Sequence, residues 1–136
     1  MSQIIVLDAS AIIAFLQGES GDDVVREALH DSQCLVSAAN QAEIIAKALD
    51  RGASPEAIQR VLSDLAYTVI DIKAEDGAQA GWMRESTRKI GLSLGDRLCL
   101  ALAQRLAAQV LTADRPWLAV ADSLGLNIRC IRPEAH

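Results

Sequence analysis

The sequence has few of the residues on which several classes of protein depend. Aromatic side chains make up only 3% of the 136 residues, so the core must be built mainly from aliphatic side chains. The only histidines are His30 and His136, which argues against a histidine-based catalytic triad. The three cysteines, Cys34, Cys99 and Cys130, are odd in number and widely spaced among apolar neighbours. That pattern is typical of reduced core thiols rather than of disulfides or a zinc site.

Signals for membranes, secretion and nucleotide binding are also missing. The N-terminal segment MSQIIVLDAS has no basic leader, and Asp8 interrupts its apolar run well short of a signal peptide or a membrane span. We therefore expect a cytosolic protein with no membrane partner. The sequence contains no P-loop, dinucleotide-binding turn or nucleophile elbow. If the protein is an enzyme, its chemistry must come from carboxylates and a metal ion.

The order of the apolar segments predicts an α/β fold. A chain of 136 residues, of which 51% are hydrophobic, is long enough for one domain with a proper core, and we expect residues 1–136 to form it. Strands are predicted at residues 3–7, 34–37, 68–72, 110–112 and 127–131. Helices are predicted at residues 9–17, 22–29, 38–50, 74–90 and 93–108, with shorter ones from Pro55 and after Pro116. Strands that alternate with helices pair in parallel, so we predict a three-layer α/β/α sandwich with a central parallel sheet.

Three acidic residues lie next to the predicted ends of strands or helices. Asp8 follows the first strand and Asp114 follows the strand at 110–112, at the edge where a parallel sheet binds its ligands. Helix capping explains each of them when it is taken alone. Asp96 lies three residues after Ser93, as in a capping box, at the mouth of a helix that is apolar all round. A carboxylate in such a place needs a partner or a shifted pKa.

Glu43 belongs to the helix predicted at 38–50, and periodicity alone gives it no special role. One face of that helix carries the apolar residues Ala38, Ala42, Ile45 and Leu49. Glu43 lies on the flank, four residues before Lys47 in the favourable order. Periodicity therefore favours a solvated ion pair between the two.

Considered together, the acids suggest different chemistry. Acids that converge at one edge of a sheet repel one another and have raised pKa values unless a cation is bound. Oxygen ligands with room for water suit Mg²⁺ (or Mn²⁺). Such an ion lowers the pKa of bound water and stabilises charge on a phosphoryl group.

Four segments, taken in order, resemble the PIN domain and, within it, the VapC-type toxins of bacterial toxin-antitoxin pairs. They are VLDASAII, SAANQAEIIAKAL, LSLGDRLCLALA and VLTADRPW, and the resemblance extends from Ile4 to about Ile131. It implies a set of catalytic and metal-binding acids, which here are Asp8, Glu43, Asp96 and Asp114. It also implies that Ser10 and Thr112 are supporting hydroxyls. For Glu43, this resemblance replaces the ion-pair interpretation.

The resemblance also implies a reaction and a set of partners. The family reaction is endonucleolytic cleavage of RNA that depends on Mg²⁺ (or Mn²⁺), with a metal-activated water attacking phosphorus. The VapC-like subgroup implies a homodimer and a small cognate antitoxin protein whose C-terminal segment covers the acidic pocket.

The net charge of −5 would by itself argue against a nucleic-acid partner. Without the four site acids the formal charge becomes −1, so the rest of the chain is close to neutral. Candidate contacts to RNA phosphates are Arg84, Arg88, Lys89, Arg97 and Arg115. An ordinary solvated basic face explains these cations equally well. Trp82 and Trp117 are better explained as core or dimer-interface residues than as base-stacking ones.

Three other functions are compatible with parts of the sequence. A phosphoacceptor receiver domain also has acids at strand ends, and Asp71 would be its acceptor, but only one acid follows the first strand where that family has a pair. A binding module could use the fold without catalysis. A PIN nuclease of RNA maturation or decay would lack an antitoxin.

Overall fold

The computed structural model describes residues 3–134, and its centre is a five-stranded sheet. The strands are β1 (Ile4–Leu7), β2 (Gln33–Ser37), β3 (Tyr67–Ile70), β4 (Gln109–Thr112) and β5 (Ile128–Cys130). They lie in the order β3-β2-β1-β4-β5, and each neighbouring pair is parallel. The predicted α/β fold with a central parallel sheet is confirmed, and the predicted strands differ from these by up to two residues at their ends.

The connections between the strands are helical. The helices are α1 (Ala9–Leu16), α2 (Asp22–Asp31), α3 (Ala38–Asp50), α4 (Pro55–Ser63), α5 (Ala74–Thr87), α6 (Leu94–Leu106) and α7 (Ala121–Leu124), with 3-10 turns at Arg88–Ile90 and Arg115–Val120. The predicted helix at 74–90 therefore ends earlier, and a 3-10 turn continues it to Gly91, whose φ is 65°. Within residues 3–134, no helix is both long and apolar enough to span a membrane.

Helices cover both faces of the sheet. Alternate residues of a strand point to opposite faces. Ile5 and Leu7 of β1 therefore pack with α1 and α2, whereas Val6 packs with α6. The predicted three-layer sandwich is confirmed, and α6 is its most buried helix, since every residue from Arg97 to Ala103 is buried.

The buried face of α3 differs from its apolar face. Asn40 and Ile44 are its buried residues, whereas Ala42 and Leu49 are exposed. Periodicity did not indicate this face because it depends on apolar side chains, while the helix turns the polar side chain of Asn40 inward. The amide of Asn40 donates a hydrogen bond to the carbonyl oxygen of Gly95 at the start of α6.

The cysteines and tryptophans have different environments. Cys34 and Cys99 are buried free thiols, as expected of core residues, whereas the free thiol Cys130 is only half-buried. Trp117 is fully buried, as expected of a core residue. Trp82 is 79% exposed, so a position in the core is excluded for it.

The strand order creates a crevice between β1 and β4. From β1 the chain passes to β2 and β3 on one side, and it then returns to place β4 and β5 on the other side. Loops that leave the carboxyl ends of two such strands diverge, and ligands bind between them. A receiver domain has the order β2-β1-β3-β4-β5. The observed order excludes that fold, and Asp71 follows the edge strand β3 rather than a central strand.

Candidate active site

Asp8 follows β1 directly and caps α1. It is buried, and its Oδ1 accepts a hydrogen bond from the backbone N–H of Ala11 at 2.9 Å. The hydroxyl of Ser10 lies 2.8 Å and 2.9 Å from the two carboxylate oxygens. The hydroxyl of Thr112, at the end of β4, donates to Oδ2 at 2.8 Å. The hydroxyls of Ser10 and Thr112 therefore both contact Asp8, although Thr112 was expected as a supporting hydroxyl in the Asp114 segment, and they join the ends of β1 and β4.

The ionisation of Asp8 is unusual. Burial raises the pKa of Asp8 to about 7, against the lowering effect of its three hydrogen-bond donors. The charge of Asp96 adds to the rise. At neutral pH the carboxyl group is therefore only partly ionised, and a bound cation would favour its ionised form.

Asp114 lies two residues beyond β4. It precedes the turn Arg115–Val120, but its side chain makes no capping hydrogen bond there. Its Oδ2 instead accepts a hydrogen bond from Nε1 of the buried Trp117 at 3.1 Å. Its backbone N–H donates to the Thr112 hydroxyl at 3.1 Å. The capping explanation thus fails for Asp114, and its carboxylate is held by an indole fixed in the core.

Asp96 lies in the first turn of α6. Its Oδ2 accepts the backbone N–H of Ser93 at 3.0 Å, and the Ser93 hydroxyl accepts the N–H of Asp96 at 3.2 Å. The predicted capping box is therefore present. Burial raises the pKa of Asp96 above its usual value despite these bonds, and the charge of Asp114 raises it further. Asp96 thus caps α6 and also experiences the field of a second acid.

Glu43 reaches the same region from α3. Its Oε1 accepts a hydrogen bond from Nδ2 of Asn40 at 2.6 Å. The same oxygen lies 2.6 Å from the position that a Cβ would occupy on Gly95, the residue before Asp96. Among the described residues, Lys47 makes no ion pair with Glu43, so the pairing favoured by periodicity is not formed.

Electrostatic interactions connect three of the four acids, and the charge of Glu43 affects a thiol close to them. Asp8 experiences the charge of Asp96, and Asp96 that of Asp114. Burial raises the pKa of the Cys99 thiol well above its usual value, and the charges of Asp8, Asp96 and Glu43 add to that rise. The Cys99 thiol is therefore close enough to Asp8, Asp96 and Glu43 for the charges of all three to affect its pKa.

The donor set suits a hard cation. The carboxylates offer only oxygen ligands, which is the chemistry that Mg²⁺ and Mn²⁺ prefer. A cation would also relieve the repulsion that contributes to the raised pKa values of Asp8 and Asp96. Within residues 3–134, no group of three or more His, Cys, Asp or Glu side chains is arranged closely enough to hold an ion as it stands. Asp8 and Asp96 thus each experience the charge of another acid, but no closed set of ligands is formed among these residues.

The candidate RNA-binding cations have different environments. Arg84, Arg88 and Lys89 are exposed on α5 and on the turn that follows it. Arg115 donates to the carbonyl oxygen of Arg132 at 2.7 Å and is therefore partly engaged. Arg97 is buried, and its Nη1 donates to the carbonyl oxygen of Ala80 on α5 at 2.7 Å. This guanidinium ties α6 to α5, and its burial argues against a contact with a phosphate.

Three residues of the site were not found from the sequence. Asn40 contacts Glu43, Gly95 lies under the Glu43 carboxylate, and Trp117 holds Asp114. Two of these contacts have the i, i+3 spacing of neighbouring side chains on a helical turn, which is the signal that could have revealed them. The role of Gly95 depends on how two separate helices meet, and no local pattern reports it.

Known proteins resemble this chain in sequence and in fold. The model of the PIN domain family matches residues 5–123. The ribonuclease VapC42 of Mycobacterium tuberculosis is 36% identical over 110 residues, which cover 73% of this chain and 82% of that protein. A toxin-antitoxin complex from Klebsiella pneumoniae contains a chain with a TM-score of 0.72 and 19% identity, covering 96% of this chain and 99% of that one. VapC20 of M. tuberculosis, described as a sarcin-ricin loop cleaving toxin, has a TM-score of 0.68 and 15% identity, with 85% and 94% covered.

Proposed function

The chain belongs to the PIN domain family, and we propose that it is a metal-dependent endoribonuclease that serves as the toxin of a toxin-antitoxin pair. One observation carries the proposal: Asp8 and Asp114 follow the adjacent strands β1 and β4, and the charge of Asp96 raises the pKa of Asp8 while that of Asp114 raises the pKa of Asp96. Glu43 lies against Gly95, the residue before Asp96. The match to a protein named as a ribonuclease, at 36% identity, points to RNA as the substrate.

The proposed metal ligands are Asp8, Glu43, Asp96 and Asp114, and the proposed ion is Mg²⁺ or Mn²⁺. Their all-oxygen donor set supports this choice. When bound, the ion would supply a water of lowered pKa and a positive charge close to the scissile phosphate.

The other residues of the site orient these acids. Ser10 and Thr112 hold the carboxylate of Asp8 through the hydrogen bonds described above. Trp117 holds Asp114 in the same way. Such contacts reduce the ordering that a ligand must impose when it binds.

RNA would approach along the exposed cations. Arg84, Arg88 and Lys89 can neutralise phosphates without reading the base sequence. Arg115 is a further candidate whose guanidinium would exchange a carbonyl partner for a phosphate. Arg97 is left out of this role because it is buried.

The proposal includes protein partners and a location. The fold is shared with a chain from a toxin-antitoxin complex, which supports a cognate antitoxin as a partner. A homodimer is also proposed, with the exposed indole of Trp82 at its interface, because burying that side chain would remove a large apolar surface from water. The cytosolic location expected from the sequence is retained as part of the proposal.

RNA cleavage by the purified protein tests the proposed activity. Wild-type protein should cut a mixed cellular RNA pool in Mg²⁺ or Mn²⁺ and not in EDTA. Asp96→Asn should abolish cleavage while the fold persists, because an amide oxygen can still accept the N–H of Ser93. Asp71→Asn, a matched change at an exposed acid beyond β3, should leave cleavage unchanged.

Two results would contradict the proposed site or activity, and a third would contradict the toxin role. Equal cleavage by wild type and Asp96→Asn would show that the activity comes from elsewhere. A folded wild-type protein that cuts no RNA with metal present would favour the non-catalytic binding module. Cleavage without an antitoxin gene beside this one would favour a PIN nuclease of RNA maturation or decay.

A further inference from the structure

Asn40 is a buried amide that contacts the candidate site. Only 1% of its surface is exposed. Its Nδ2 donates to Oε1 of Glu43 at 2.6 Å and to the carbonyl oxygen of Gly95 at 3.3 Å. One NH₂ group thus joins an acid on α3 to the backbone at the start of α6.

The oxygen of this amide has no hydrogen-bond partner among the described residues. Among residues 3–134, Oδ1 of Asn40 is one of two buried side-chain polar atoms without a hydrogen bond. Burying an acceptor in this way lowers stability, so the position would suit a small apolar residue at least as well for folding alone. The contacts of Nδ2 are therefore the reason for an amide here.

Gly95 also affects where the carboxylate of Glu43 can lie. A Cβ at this position would lie 2.6 Å from Oε1, 2.9 Å from Cδ and 3.0 Å from Oε2 of Glu43. The carboxylate therefore occupies the space that any side chain at residue 95 would fill. It rests against bare backbone, with Asp96 as the next residue.

Glu43 needs such restraint because it is an exposed residue on the flank of α3. A free glutamate side chain populates many rotamers, and fixing it costs entropy. The Asn40 amide on one side of the carboxylate and the Gly95 backbone on the other restrict the Glu43 side chain. They therefore reduce the entropy lost when a ligand binds.

We propose that Asn40 is a positioning residue for Glu43, holding its carboxylate over Gly95 and beside Asp96 so that the fourth acid is in place before metal binds. This inference rests on the proposed function. The competing explanation is a purely structural tie between α3 and α6, in which the contact with Glu43 is incidental.

A double-mutant cycle separates the two explanations. Mn²⁺ affinity is measured by calorimetry, and RNA cleavage in Mn²⁺ alongside it, for full-length wild type, Asn40→Ala, Glu43→Gln and the double variant. We expect Asn40→Ala to weaken Mn²⁺ binding and kcat/KM by about 10- to 100-fold. In the Glu43→Gln background the same change should alter both by less than about twofold, because the group that Asn40 positions is no longer a carboxylate.

Gly95→Ala disturbs the same carboxylate from the other side. Its methyl group would displace Glu43, so we expect a loss similar to that of Asn40→Ala, again absent in the Glu43→Gln background. Gly77→Ala in α5 is the matched control, since a Cβ there has no atom within 4 Å, and it should leave Mn²⁺ affinity and cleavage unchanged. Gly95→Ala is informative even if Asn40→Ala fails to fold.

The outcomes are distinguishable. If wild type binds Mn²⁺ and cleaves RNA while Asn40→Ala and Gly95→Ala match it, Asn40 does not position Glu43. Equal losses in both backgrounds, together with a lower melting temperature, would establish the structural tie instead. If wild type neither binds Mn²⁺ nor cleaves RNA, the proposed function itself is wrong, and this inference falls with it.

Discussion

At the scale of single residues, two of the site acids combine a structural and a chemical task. Asp8 caps α1 and Asp96 caps α6, and both also have raised pKa values. A cap requires an acceptor oxygen, which asparagine also supplies, whereas a metal ligand of this kind requires a carboxylate. Amide substitutions at these positions therefore separate folding from chemistry.

Asp8→Asn should stabilise the metal-free protein, with an effect that grows with pH. The pKa of Asp8 is about 7 in the fold and 3.8 in the reference state. Between these values the folded state retains a proton that the unfolded state releases, so the contribution of Asp8 to stability is lost as pH rises towards 7. One pKa unit corresponds to about 1.4 kcal/mol, so we expect Asp8→Asn to gain more than about 1 kcal/mol at pH 8.

Melting temperatures in EDTA from pH 4.5 to 8 check this. The curves of wild type and Asp8→Asn should diverge as pH increases and then run parallel above about pH 7. Curves that stay parallel throughout would mean that Asp8 titrates normally.

Thr112→Val removes a hydroxyl from Asp8 while keeping a residue suited to β4. In the wild-type protein, the 2.8 Å hydrogen bond from Thr112 lowers the pKa of Asp8. Removing that bond should therefore raise the pKa of Asp8 further. The acidic limb of the pH profile of cleavage should shift to higher pH, and activity at pH 7 should fall by roughly tenfold. A profile that keeps its position at reduced height would assign Thr112 a role in packing alone.

Sequence patterns and the family resemblance identified the four acids, but not all of the contacts that these acids make. Asp8 and Asp114 were predicted at strand ends because a parallel sheet gathers those ends at one edge. Glu43 required the family resemblance, since its spacing to Lys47 favoured an ion pair that is not formed. The contacts from Asn40 and Trp117 depend on side-chain directions that the one-letter pattern leaves open.

At the scale of elements, α6 connects the site to the core. Its first turn carries Asp96, its middle is buried, and its end turns at Ala107, which has a left-handed φ of 50°. A side chain in that conformation is strained, whereas glycine adopts it freely.

Ala107→Gly should therefore stabilise the protein by about 0.5–1 kcal/mol. Ala107 lies at the opposite end of α6 from Asp96, so cleavage should be unaffected. Urea denaturation measures the gain, and Ala119→Gly, an exposed position in the 3-10 turn, serves as a control that should lose stability. A loss with Ala107→Gly would show that packing of the methyl group outweighs the backbone strain.

The helices also show where periodicity fails. The α6 pattern predicted a buried helix correctly because every residue in its middle, 98–103, is apolar. The α3 pattern did not indicate the buried face, because its inward residue is the polar Asn40. Periodicity also did not reveal that Arg97, a candidate RNA contact, is buried and donates a hydrogen bond to a carbonyl oxygen on α5.

At the scale of the whole molecule, topology creates the site. The order β3-β2-β1-β4-β5 places β1 beside β4, so Asp8 and Asp114 flank a crevice although about a hundred residues separate them. The alternation of strands and helices predicted parallel pairing, but not which strands would be neighbours. The description of residues 1–136 as a single domain remains a prediction.

Four acids at four different elements form, as we propose, one divalent-cation site. Titration of Mn²⁺ into purified protein, followed by calorimetry, tests it most directly. We predict one class of site, with affinity lowered at least about tenfold in Asp8→Asn, Glu43→Gln, Asp96→Asn and Asp114→Asn, and unchanged in Asp71→Asn. Mn²⁺ binding that persists undiminished in all four variants, or that Asp71→Asn weakens equally, would contradict the account.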